Sequence, residues 1–185
     1  MNTTTLLQNL YDQTILILMG TKSDFSHLSE STLNARPGAK GWSALECFEH
    51  LNRYNSFYLT AIENAIQKNQ HSVKDQEVQS TWIGKKSIAM MHPSNRKKQK
   101  TFKRMDPSNS ALTVTTLDQL IKDQERLLTL LKQASNSDVN AKAVSVEFFK
   151  MLKMTIAEAF EFVIVHEQRH LIQAREALSK SLINH

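Results

Sequence analysis

Three histidines have the residue type and spacing to do chemistry. His166 and His170 stand four residues apart in a segment of helical period, so their rings leave one face a single turn apart, about 40° from each other around the helix axis. Ile156, Ala159, Phe160, Val163 and Ala174 fall on the same half of that helix, which aims both rings at a core. His50 lies about 40° from Tyr54 on an earlier helix, again within an apolar stripe. Burying an imidazole without a partner is costly, because the neutral ring carries one donor and one acceptor. Two arrangements would satisfy the rings: each hydrogen-bonds a neighbour and fixes packing, or all three hold a metal. An i, i+4 pair with a third ring from another helix favours the metal. Three neutral imidazole nitrogens suit zinc, nickel, iron or copper and leave a position open for water or substrate. His27, His71, His92 and His185 lie in polar connections or at the terminus and are assigned no role.

Other groups near these three could assist. Cys47, one turn before His50, could reach a metal or act as a nucleophile, but reads first as a small buried hydrophobe. Glu46 and Glu49 are candidates for orienting an imidazole, although Glu46 has a capping role and Glu49 reads as solvated. Glu167 and Arg169 could line a cavity mouth, and both read as exposed charges. The string His166-Glu167-Gln168-Arg169-His170 matches H-E-x-x-H, in which Glu167 would be the general base beside zinc. Against a peptidase, nothing after His170 offers a third ligand except His185, and no substrate-aligning strand is expected.

The elements that must position these residues are helical. One helix is expected over about Thr4–Met19, from Leu6, Leu7, Leu10, Tyr11, Thr14, Ile17 and Leu18. A second starts at a capping box, Ser43 with Glu46, and runs over Ala44–Lys68 with Cys47, Leu51, Tyr54, Tyr58, Ala61 and Ala65 on one stripe. Residues 70–112 read as a long connection containing short helical turns or wrapping the bundle. A third helix is expected from a Thr116/Gln119 cap to about Ala134, and a short helical piece around Val146–Leu152. The last helix opens on a Thr155/Glu158 capping box and continues to about Ser179. The expected fold is all-α, a four-helix bundle in one domain over residues 1–185, with its long connection between the second and third helices.

Composition narrows the function classes. With 4 Gly and 3 Pro in 185 residues the chain has few turn-makers and no Gly-rich phosphate cradle. A single cysteine excludes an internal disulfide framework and a Cys-rich zinc site. No apolar run approaches the roughly 20 residues of a spanning helix, and no signal peptide is read at the start, so a soluble cytoplasmic protein is expected. The net charge of +5 is concentrated in Arg96–Arg104, RKKQKTFKR, which has six basic residues and no acidic one. That run reads as a solvated loop, or one that closes over a site mouth to attract an anionic substrate. Phe102 is its one aromatic, which argues against base stacking on nucleic acid.

Gly41-Trp42-Ser43 leading into Glu46 and His50-Leu51, then His166-x-x-Arg169-His170-x-x-Gln173, resembles the DinB/YfiT-like superfamily. Trp82-Ile83-Gly84-Lys85 and Lys100-Thr101-Phe102-Lys103-Arg104-Met105 with Pro107 resemble its DinB-like branch. The resemblance implies an up-down-down-up bundle, often a homodimer, with a divalent metal on His50, His166 and His170. Zinc or nickel come first for that ion, with iron or manganese as further candidates. It also implies, for some relatives, metal-dependent transfer or isomerisation using a low-molecular-weight thiol. The alternatives are metal-assisted hydrolysis and a non-catalytic dimerisation bundle that meets an anionic partner through the basic loop.

Overall fold

A computed structural model describes residues 1–39, 41–70, 75–97, 99–108 and 110–183. Lys40, His71, Lys98, Asn109 and His185, which the sequence reading places in connections, in the basic run or at the terminus, lie outside the described residues. The elements are α1 (Thr3–Phe25), α2 (Glu30–Asn34), α3 (Ala44–Lys68), α4 (Trp82–Met91), a 3-10 turn (Lys103–Met105), α5 (Thr115–Ala134), β1 (Val144–Val146), β2 (Phe149–Met154) and α6 (Ile156–Ile183).

The four long helices pack as a bundle whose centre holds Phe25, Phe48, Leu51, Tyr58, Ile62, Leu120, Leu127 and Phe160. Cross-helix pairs fix the directions. His50 meets His170 and Tyr58 meets Phe162, so α3 and α6 run antiparallel. Asn52 donates to the Thr116 carbonyl and Arg126 pairs with Glu63, so α3 and α5 run parallel. Gln124 donates to Thr21 and Lys132 sits over Tyr11, so α1 and α5 are antiparallel. Gln168 reaches Gln13 and Arg175 reaches Asp24, so α1 and α6 are parallel.

Two capping boxes set the helices that carry the histidines. Ser43 Oγ accepts the Glu46 amide at 3.2 Å while the Glu46 carboxylate accepts the Ser43 amide at 2.9 Å. Thr155 and Glu158 repeat this at the start of α6, at 3.1 and 2.9 Å. Each box satisfies orphan amides of a first turn and so fixes the axial position of every side chain beyond it.

The molecule is more than a plain four-helix bundle. α1 extends past Met19 to Phe25, because Thr21 and Phe25 are themselves buried. The connection after it contains α2, capped by Ser29. The long connection after α3 contains α4, which packs on α6, and the 3-10 turn. The expected Thr116/Gln119 cap is not formed: α5 begins at Thr115 with no side-chain cap, and Gln119 bonds Asp123. The helical piece expected around Val146–Leu152 is instead an antiparallel hairpin, pairing Val144 with Met154 and Ser145 with Lys153. Backbone bonds from Ile156 to Ala141 and from Ala157 to Val139 bring the chain back alongside itself, and β-branched Val144 and Val146 suit the extended form.

Candidate metal centre

His50 sits two turns into α3; His166 and His170 sit midway along α6. Packing these helices antiparallel brings one ligating nitrogen from each ring within 4.8 Å of the others. All three residues are buried, at 4%, 2% and 7% exposure. The His50 and His166 Nε2 atoms are 3.3 Å apart, about the separation of two nitrogens held 2.0–2.1 Å from one tetrahedral ion.

The orientation of His50 is set by backbone. Its Nδ1–H donates to the Met105 carbonyl at 2.8 Å, which leaves the Nε2 lone pair facing His166. His170 Nδ1 is buried without a hydrogen-bond partner, an arrangement that costs about 1–3 kcal/mol unless something supplies the interaction. Three neutral imidazoles that bring one nitrogen each to a common point are the donor set a divalent ion takes. The residues fit the group.

Aromatic rings enclose the cluster. Trp42 lies 5.0 Å from the His50 ring and 6.0 Å from that of His170; Tyr54 lies 5.0 and 4.7 Å from His50 and His166; Phe162 lies 5.6 Å from His166. This nearly closed aromatic surround, with Trp42 partly exposed, keeps the rings neutral. Burial pushes His50 down to about 4, with Arg53 adding to the shift and the Met105 bond opposing it. His166 is held well below the usual histidine range by burial, then by His170, His50 and Arg169. His170 is lowered by burial, then by His50 and Arg169, with Gln173 opposing.

The other candidates separate. Glu167 is not an exposed charge: it is 1% exposed and accepts from Asn55 at 3.0 Å and Gln124 at 3.2 Å. Both carboxylate oxygens are thereby committed to a layer beside the cluster, and burial lifts the group to about 7. That leaves the zincin pattern without its base. Arg169 is half-buried and donates to the carbonyls of His92, Asn95 and Lys97. Glu46 is engaged by its capping box and by Arg36, and Glu49 by Arg53; neither orients an imidazole by a hydrogen bond. Cys47 is fully buried outside the cluster, and burial drives its thiol far above the usual range.

Sequence reasoning missed the Met105 carbonyl, because a backbone acceptor 55 residues from its histidine leaves no mark in residue type. It named Trp42 only within a motif. A signal for its place existed: a tryptophan directly before the Ser43 cap lies at the end of α3 that carries His50.

A family profile described as the DinB superfamily matches residues 21–174, a span that includes all three histidines. The chain is similar to the uncharacterized protein YuaE of Bacillus subtilis (strain 168), at 23% identity over 161 residues covering 86% of this chain and 91% of that protein. No solved structure matches it.

Proposed function

The chain belongs to the DinB superfamily, and from that premise we propose that residues 1–185 are one domain that binds a divalent metal through His50, His166 and His170 and uses it to activate a low-molecular-weight thiol. The observation that carries this reading is the convergence of three buried imidazoles, one fixed in tautomer by Met105 and one with a nitrogen left unpartnered. Zinc or nickel suits the donor set best, with iron next, and the family resemblance adds manganese. When bound, the ion would act as a Lewis acid that lowers the pKa of a thiol or water in its remaining position.

The chain's own residues do the rest. Met105 holds His50 with its Nε2 inward. Trp42, Tyr54 and Phe162 exclude water and strengthen electrostatic interactions inside the site. Thiol transfer is favoured over hydrolysis because the carboxylates adjacent in sequence to the histidines are both occupied, Glu49 by Arg53 and Glu167 by Asn55 and Gln124. We also propose a cytoplasmic homodimer. Apolar Leu16, Met19 and Ile172, exposed one to two turns beyond the Gln13–Gln168 contact of the α1–α6 pair, support an association face.

Elemental analysis of untagged protein beside the double variant H166A/H170A tests the metal. Close to one equivalent in the parent, lost in a variant that keeps its helical circular dichroism, is the expected result. Absence of metal from both, even after incubation with zinc and nickel, would make the three rings core hydrogen-bonders.

A further inference from the structure

The basic run is absorbed neither by the fold nor by the metal cluster, yet both its ends are hung on that cluster. At one end Arg169, the residue before His170, grips the carbonyls of His92, Asn95 and Lys97 with its guanidinium, the last at 2.9 Å. At the other, the Met105 carbonyl bonds His50, while Arg53, less than one turn beyond His50, donates to the carbonyls of Arg104 and Asp106. Lys97 and residues 99–105 thus belong to a strap tied to α6 beside one metal-facing histidine and to α3 beside another. A stack of Phe102 on Phe148, with centroids 3.9 Å apart, holds its middle to the hairpin tip.

The charges on this strap are not spent internally. Arg104 approaches Glu147 at 3.7 Å, but Arg96, Lys97, Lys100 and Lys103 are exposed and have no acidic partner among the described residues. Arg169, one of the two arginines that anchor the strap, has no acidic partner among the described residues and adds positive charge at its end, while the other, Arg53, is paired with Glu49 at 2.8 Å. Of the carboxylates close to the strap, Glu147 faces Arg104, Asp106 accepts from Ser108, and Glu167 is turned into the bundle. Cations concentrated on a segment fastened at a nearly closed site raise the local concentration of anions there.

We propose that the substrate thiol is anionic, carrying a carboxylate, phosphate or sulfonate that Lys97, Lys100 and Lys103 bind while its sulfur reaches the three-histidine site. This rests on the reading of a metal-held thiol, so the test separates the two. The probes are 2-mercaptoethanesulfonate and 2-mercaptoethanol, which differ in a terminal charge that coordinates metal poorly. Binding is read from the visible spectrum of the Co2+-loaded protein, in the parent and in K97A/K100A/K103A. At ~10 mM ionic strength, where the screening length is about 30 Å, the parent should bind the sulfonate roughly tenfold more tightly; at ~1 M, where it is about 3 Å, the preference should vanish. The variant should take up Co2+ like the parent and bind both thiols equally.

Equal binding of the two thiols by the parent at low salt, or a preference that survives in the variant, would overturn the proposal while leaving the metal reading intact. Neither thiol perturbing the spectrum would end the proposal and the thiol reading together. Failure to take up Co2+ at all would sink the metal reading and the proposal with it. A 20-base-pair duplex that the parent binds and the variant does not, with the thiols undiscriminated, would assign the strap to nucleic acid and overturn the proposal.

Discussion

The three histidines stay neutral in the fold because a nearly closed surround of Trp42, Tyr54 and Phe162 gives a proton on any of them little solvation. In the metal-free protein this has a sign. The unfolded chain protonates its rings near 6.5, whereas His50 resists until about 4 and the other two are likewise held well below the ordinary value by burial. Between those values the unfolded state binds more protons, so stability is complete above about 6.5 and is lost as the pH falls towards 4, by about 3 kcal/mol from His50 alone. Glu167 opposes this: its folded value of about 7 lies above the ordinary 4.5, so the folded state holds the extra proton between them. Three rings outweigh one carboxyl. Urea midpoints of chelator-treated protein should fall from pH 7 to pH 5; a flat or rising midpoint would show that the rings have a proton-accepting partner. Position and period alone made these histidines legible, since a polar ring on an apolar stripe stands out. Met105 was invisible because its contribution is a carbonyl that every residue has.

Among the elements, α3 and α6 could be read from sequence because each begins at a capping box and continues as a long amphipathic period. The hairpin could not. Its outer strand is exposed at every residue from Phe149 to Lys153, so no alternation of buried and exposed positions marks it. α4 was hidden for another reason: it is short, contains Gly84, and packs on the core with only a few apolar side chains, Ile83, Ile88 and Met91, while its start is fixed by a carboxylate far along the chain. Glu158 of the α6 capping box also accepts from the Thr81 amide and, at 2.7 Å, from the Thr81 hydroxyl, which pins the start of α4 to the start of α6. Gly84 is what lets them approach, since a Cβ there would lie 2.1 Å from the Glu158 carboxyl carbon. Gly84→Ala should therefore push that carboxylate off its partners. With hydrogen bonds to charged groups worth about 1.5–3 kcal/mol each, a loss of about 2 kcal/mol or more is expected in urea unfolding, with faster proteolysis inside residues 82–91. An unchanged midpoint would mean that α4 is held elsewhere.

Across the whole molecule the bundle is tied together by one polar layer to which each long helix contributes: Thr21 from α1, Asn55 from α3, Gln124 from α5 and Glu167 from α6, none more than 2% exposed. Glu167 takes Asn55 on one oxygen and Gln124 on the other, and Gln124 also donates to Thr21 at 3.1 Å. The sequence reading placed Glu167 in solvent because a charge beside an inward histidine normally points away from the core. It fails here because α1, α3 and α4 all pack on α6, so that little of its middle faces water. The layer has one flaw, the buried and unpartnered Oε1 of Gln124. Glu167→Gln should cost about 1–2 kcal/mol, since turning the Gln124 amide over would give its oxygen the new side chain's N–H but would take its own N–H away from Thr21. Glu167→Ala should cost about 2–4 kcal/mol by leaving the Asn55 and Gln124 amides unpaired around a cavity. Chemical denaturation distinguishes the two, and metal content should follow the histidines in both. Loss of metal from the Gln variant with stability retained would instead put Glu167 at the metal and return the zincin reading to contention.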